Sequence, residues 1–171
     1  MPRGLVVLCL AAGALLALPV GSALACAHAN ARPRAVSERA YAAAIECLVN
    51  ERRAAAGLRA VGHDGRLARA AHGFSTRMVR ERFFAHVSPD GSTPPERARA
   101  ARYPGSTLGE TIGWGAGALA TPAAIVQGWL DSPPHRAIML GAGFRRVGLG
   151  AATGSPSGLA GAATVTADFG G

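Results

Sequence analysis

Residues Phe83–Arg97 read FFAHVSPDGSTPPER, and this stretch decides how the chain divides into elements. Its first half closes one helix and its second half opens another. Upstream, Leu67, Ala70, Ala71, Phe74 and Met78 recur on a single helical face. Downstream, Thr93-Pro94-Pro95-Glu96 is a helix start: a threonine cap, a proline where no N–H is needed, and a glutamate that reaches back to the cap amide. His86 sits in the rigid turn between them, and rigid junctions are where a fold can aim a side chain reproducibly.

The same punctuation extends in both directions. Ser37 reads as an N-cap, and Tyr41, Ala44, Ile45, Leu48 and Val49 share one face of a helix that runs to about Ala56 and stops at Gly57. The segment 58–66 reads as a loop carrying Asp64 and Gly65, with His63 stabilising that turn. Past the short helix that ends near Ala101, Tyr103-Pro104-Gly105 breaks the pattern. LGETIGWGAGALA (108–120) is glycine-punctuated and reads as an irregular strand or loop. Thr121 and Pro122 repeat the cap, Ile125, Val126, Trp129 and Leu130 form an apolar face, and HRAIML (135–140) makes a short helical turn. From Phe144 the period changes: FRRVGLGAA and GAATVTADFG, parted by TGSPSG, read as a hairpin. Helices first and a hairpin last give an α+β domain.

Composition bounds the setting. Arg3, a sixteen-residue apolar run (5–20) and Ala23-Leu24-Ala25 read as a signal peptide over residues 1–25, expected to be removed. The run falls short of the roughly twenty residues a bilayer span needs. A tail (26–36) and one domain (37–171) follow, since about 146 residues suit one core. Arg3 leaves with the leader, so 17 basic residues stand against 10 acidic ones, a net of +7 with histidines neutral. A basic exported chain can meet anionic envelope polymers or lipid headgroups, and nucleic acid is not an expected partner. The chain is expected to act as a monomer. Cys9 also leaves, and Cys26 and Cys47 then make one disulfide in an oxidising compartment. The alternative is a lipid anchor on Cys26, for which Ala23 is a poor flanking residue.

Motifs for the commonest enzyme classes are missing: there is no Gly-x-Ser-x-Gly elbow, His-Glu-x-x-His helix, phosphate loop or Cys-x-x-Cys pair. Ser88, Ser92 and Ser132 lack any local sign of an activating base. Of five histidines, His28 lies in the tail and His72 on the second helix, whereas His86 and His135 both stand at helix-turn junctions. Glu110 is an isolated acid in an apolar stretch and needs a partner if buried. Two imidazoles and a carboxylate suit a divalent cation such as zinc, so His86, Glu110 and His135 form the candidate metal set. Spacings of 24 and 25 residues carry no local geometry, and Glu110 equally fits a purely structural role as hydrogen-bond acceptor.

The succession NERRAAAGL, HDGRLARAA, FFAHVSPDGSTPPER, GETIGWG, IVQGWLDSPPHRAIML, FRRVGLG and DFG resembles the bacterial branch of the CAP superfamily. These are SCP-like extracellular domains related to cysteine-rich secretory proteins, antigen 5 and plant pathogenesis-related proteins. The likeness covers Tyr41 to Gly170. It implies an α-β-α sandwich with a small, mostly antiparallel central sheet. It also implies that His86, Glu110 and His135 line the family's central cavity, which in many members holds two histidines and two acids. Here the second acid's place is Ser132; Asp131 is one residue short, a turn of about 100° on a helix. A cation held by His86 and His135 with water is therefore expected to be weakly bound. Thr111 stands where the family carries asparagine and must supply whatever hydrogen bond that amide makes, and Pro134 stands where glycine is usual.

The resemblance implies a secreted binding or interaction module, with lipid, envelope polymer or an extracellular protein as partner. The alternative is a metal-assisted hydrolase of peptide or ester bonds in which Glu110 is the general base. A lipid groove would draw on Trp114, Trp129, Tyr103 and Phe83, each expected instead in the core.

Overall fold

The computed structural model describes residues 26–171, so the expected leader lies outside the described residues. Five helices and four strands follow one another as α1 (Glu38–Ala55), β1 (Gly62–His63), α2 (Gly65–Glu81), α3 (Pro94–Ala100), β2 (Leu108–Ala116), α4 (Pro122–Asp131), α5 (Pro133–Met139), β3 (Arg146–Thr153) and β4 (Ala162–Gly170). The sheet order is β1-β3-β4-β2, with β1 parallel to β3 and the other two pairings antiparallel. The expected α-β-α sandwich is present.

Side-chain alternation along β3 and β4 assigns the two faces. Val147, Leu149 and Ala151, with Val165, Ala167 and Phe169 of β4, meet Ile45 and Val49 of α1 and Ile125, Val126 and Trp129 of α4 in one core. The opposite face carries Gly148 and Gly150 of β3 in register with Asp168 and Thr166 of β4, and these continue to Glu110 and Ile112 of β2. α2 covers that face. It lies so close that its backbone occupies the space a side chain on Gly148 or Gly150 would need. Ser75 of α2 donates to the carbonyl of Gly150 at 3.0 Å, and Phe74 and Met78 form a second small core with Ile112.

The caps work as read, with two corrections. Ser37 accepts from the amide of Ala40, Thr121 from that of Ala124, and the Thr93 amide donates to Glu96 at 2.8 Å. The segment 58–66 is more than a loop: β1 pairs with β3, and Asp64 caps α2 by accepting from the amides of Arg66 and Leu67. His63 does not serve that turn; it reaches Glu46 of α1 at 2.9 Å. The second correction is 108–120, a regular nine-residue strand followed by a 3-10 turn, Gly117–Ala120. Its glycines made the stretch look irregular, yet they are where large groups press in. Phe144 lies over Gly109, the Trp129 indole over Gly113 and the Leu119 carbonyl over Gly115.

Cys26 and Cys47 are disulfide-bonded, stapling the tail to α1 across a separation of 21 residues. Closing a loop of that length constrains the unfolded chain by about 3 kcal/mol. Among the described residues no helix is long and apolar enough to cross a membrane. Of the four aromatic residues considered for a lipid groove, Trp129 is core, Phe83 and Tyr103 are half-buried, and Trp114 is exposed.

Candidate functional site

Four elements deliver the side chains. α2 ends when Arg82 takes a left-handed conformation (φ 55°), which turns the chain so that His86 returns over the sheet. β2 places Glu110 on the face covered by α2 and α3, with only 2% of its side chain exposed. α3 contributes Arg97. α5 begins with Pro133 and Pro134 in its first turn, where their fixed φ suits the helix, and this start aims His135.

The Nδ1 of His86 lies 2.7 Å from one oxygen of Glu110, and Arg97 donates to the other oxygen at 2.6 Å. Arg97 also donates to the carbonyls of His86 and Ser92 and lies 3.4 Å above the centre of the Phe74 ring. A desolvated cation-π contact of this kind is worth roughly 2 kcal/mol. The His86 and His135 rings are 6.5 Å apart and tilted by 53°. His86 is half exposed, so the group opens to solvent on the imidazole side. Burial and the neighbouring His86 both hold the pKa of His135 below the ordinary imidazole value, favouring the neutral ring.

Three sequence expectations are thus placed together, though not as a closed metal cluster. Among the described residues the only three such side chains with ligand atoms within 4.8 Å of one another are Cys26, Cys47 and Glu51, whose sulfurs are spent on the disulfide. Asp131 is exposed and accepts from Gln127, so it does not supply the second acid. Thr111, expected to supply a hydrogen bond, has a buried hydroxyl with no hydrogen-bond partner among the described residues.

Sequence reasoning missed two groups, Arg97 and Asp168. Asp168 is the register partner of Glu110 across the β2-β4 ladder and is 1% exposed, and one of its oxygens has no hydrogen-bond partner among the described residues. Burial first, and then the adjacent Glu110, push its carboxyl pKa well above the usual range; a hydrogen bond to Glu110 acts in the same direction. Asp168 is therefore a carboxyl that holds its proton more readily than an exposed acid does. Only the alternation of ATVTADFG could have signalled it, and alternation does not say which strand lies opposite.

A raised folded pKa means the native state binds the extra proton, so this group's contribution to stability is full below the unfolded carboxyl value near pH 3.9 and is lost as pH rises toward the folded value. Asp168→Asn keeps a neutral donor without that linkage. The variant is expected to gain stability over the parent as pH rises from 4 to 7, by at least about 1 kcal/mol, and to differ least from it near pH 4. Urea titrations at the two pH values check this; equal effects at both would mean the Asp168 carboxyl is not shifted on folding.

A mixed sheet between helical layers, with two histidines and a buried acid gathered around β2, defines an SCP-type α-β-α sandwich. Residues 47–169 match the model of the cysteine-rich secretory protein (CAP) family, and the chain belongs to that family. "Uncharacterized protein YkwD" of Bacillus subtilis is 30% identical over 118 residues, which cover 69% of this chain and 44% of that protein. A crystal structure of an extracellular protein containing an SCP domain from Bacillus anthracis superposes with a TM-score of 0.66 at 27% identity, over 78% of this chain and 41% of that one. An outer surface protein from Borrelia burgdorferi gives a TM-score of 0.66 at 18% identity, over 79% and 95% of the two chains, a likeness of fold alone. The chain spans less than half the length of both Bacillus proteins.

Proposed function

We propose that this chain is an exported binding module whose His86 and His135 weakly hold a divalent cation, with Glu110 orienting His86. The observation that carries this is the 2.7 Å contact between His86 Nδ1 and Glu110. It fixes the tautomer with the proton on Nδ1 and leaves Nε2, which has no hydrogen bond among the described residues, with its lone pair free for a cation. A carboxylate bonded to the far nitrogen of a ligating histidine is the usual second partner of such sites.

The donor set fits a weak site. Two imidazoles on one tetrahedral ion, with zinc-nitrogen distances near 2.1 Å, would bring their centroids to about 5 Å. The rings at 6.5 Å would close by rotation of side chains, His86 being half exposed. A cation bound there would supply Lewis-acid polarisation of an oxygen on a partner molecule. Export is supported by the leader reading and by the Bacillus anthracis relative, described as an extracellular protein. The partner classes remain lipid, anionic envelope polymer or an extracellular protein.

The hydrolase alternative is less well supported. A general base needs a free oxygen facing the reacting water, whereas both oxygens of Glu110 are engaged, one by His86 and one by Arg97. The same contacts alter what Glu110→Gln should do: Arg97 loses a charge partner, so the variant is expected to be about 2 kcal/mol less stable than the parent.

Calorimetric zinc titration of the purified protein at pH 7 tests the proposal. One saturable site is expected. His135→Ala should weaken it at least tenfold, and Glu110→Gln by roughly 10–100-fold once its folded fraction is accounted for. Absence of heat and of histidine NMR shifts at millimolar zinc would remove the cation from the reading, and unchanged affinity in His135→Ala would remove this site.

A further inference from the structure

A groove of about 880 Å³ opens not at His86 but at the opposite margin of the sheet, between α1 and α2. Its floor is Leu149, Gly150 and Ala151 of β3. β1 pairs with only the first two residues of β3, Arg146 and Val147, so beyond Val147 the strand has a bare edge. Odd-numbered residues direct their main-chain groups toward that edge: the Val147 carbonyl accepts from Asp64, the Ala151 carbonyl is bonded by His72, and the Thr153 amide donates to Glu38. Between these caps the N–H and C=O of Leu149 and the N–H of Ala151 have no hydrogen-bond partner among the described residues.

We propose that this edge is a docking slot for an extended, acidic peptide segment. The shape argument comes from the sandwich itself. α1 and α2 pack on opposite faces of β3, so the gap between them past its edge has the thickness of a sheet, and a strand laid about 4.8 Å further out continues the middle layer. An unpaired edge is a template for another strand, and main-chain bonds supply affinity with little demand on sequence. The walls include small residues, Ala42 and Ala43 on α1 and Ala68 on α2, which leave room for side chains of a docked strand.

Charge selects the occupant. Of the ionisable groups around the slot, Glu46 is engaged by His63, and Glu38 by the Thr153 amide and, at 3.9 Å, by His72. Arg39 on one wall and Arg69 on the other have no acidic partner within 4.0 Å among the described residues. With histidines neutral the slot's formal charges balance, two arginines against Glu38 and Glu46, but among the described residues the arginines are the two without a partner of opposite charge or a bonded amide, and carboxylates on alternate residues of a docked strand would meet them. This site shares no residue with the cation site; it deepens the proposed binding role by naming the chemistry of a protein partner, and it can fail while the cation reading stands.

The test uses purified protein and a fluorescein-labelled octapeptide of alternating valine and glutamate. Saturable binding is expected, with amide shifts and slowed hydrogen exchange at Leu149 and Ala151. A valine-lysine counterpart should bind at least tenfold more weakly, as should a valine-glutamate peptide N-methylated at alternate amides. Ala43→Trp fills the slot from an exposed position on α1 and should reduce affinity at least tenfold, while zinc binding stays unchanged. Equal binding of the N-methylated peptide, or unchanged affinity in Ala43→Trp with a native circular dichroism spectrum, would overturn the slot. So would the absence of any Leu149 or Ala151 shift at millimolar peptide.

Discussion

Gly150→Ala is expected to lower stability by about 4 kcal/mol, at the upper end of overpacking effects, and the thermal midpoint by roughly 12 °C for a domain of this size. The added methyl carbon would lie 2.0 Å from the amide nitrogen of His72 and 2.3 Å from the carbonyl carbon of Ala71. Those are atoms of the α2 backbone, which cannot rotate away as a side-chain tip can. Ordinary contact begins near 3.4 Å, so the helix has to lift by more than an ångström. Lifting it breaks the bond from Ser75 to the Gly150 carbonyl and loosens Phe74, on which Arg97 rests. Zinc affinity should therefore fall with stability. Gly73→Ala on the same helix is the control: nothing lies within 4 Å of the added carbon, and removing a helix-interior glycine should stabilise by about 0.5–1 kcal/mol. Thermal melts of the two variants separate close packing from helix propensity; similar melts would mean α2 does not rest on β3 as described.

That close approach marks where sequence reading stops. Ser37, Thr93 and Thr121 announce their helices because a cap is a local hydrogen bond, complete within four residues. The period of α2 is legible because one face is buried along its whole length. The glycines of VGLG and GETIGWG carry the opposite lesson. Read locally they weaken strand patterns, and only the packed fold shows that α2, Phe144, Trp129 and Leu119 occupy the missing side-chain volumes. β1 has two residues and a partner more than eighty positions away, so it leaves no local signal at all. At the site, His86 and Glu110 could be named because residue type and junction position are visible. Arg97 could not, being one arginine among many until its guanidinium is seen between Phe74 and Glu110. Asp168 needed strand register, which the family resemblance did not supply.

Arg53 carries the other large expectation. It lies on α1 with no exposed surface, and no carboxylate approaches it within 4.0 Å among the described residues. Its partners are carbonyls: Nε donates to Arg59, and Nη1 donates to Met139 at 2.8 Å and to Gly141 at 3.1 Å. Met139 ends α5 and Gly141 stands just past it, at the negative pole of that helix, so a buried cation there caps the Met139 carbonyl and shares that of Gly141 with the Phe144 amide. Burial and the neighbouring Arg145 both pull its pKa down, so the site does oppose the charge. A methionine of similar length would relieve that opposition, and in other proteins such exchanges of buried charges are sometimes neutral. Here the buried Met139 carbonyl would remain without a donor, at about 1–3 kcal/mol before relaxation, and the part-buried carbonyls of Arg59 and Gly141 would lose a donor as well, which together exceed the relief. Arg53→Met is therefore expected to lose about 2 kcal/mol in urea unfolding. Arg53→Lys keeps the charge but cannot span from Arg59 to Gly141, and should lose about half as much. Because α5 carries His135, both variants should weaken zinc binding in the same order. A methionine variant within about 0.5 kcal/mol of the parent, the range of an ordinary surface substitution, would mean these carbonyls find water instead, and that α5 is held by its apolar face alone.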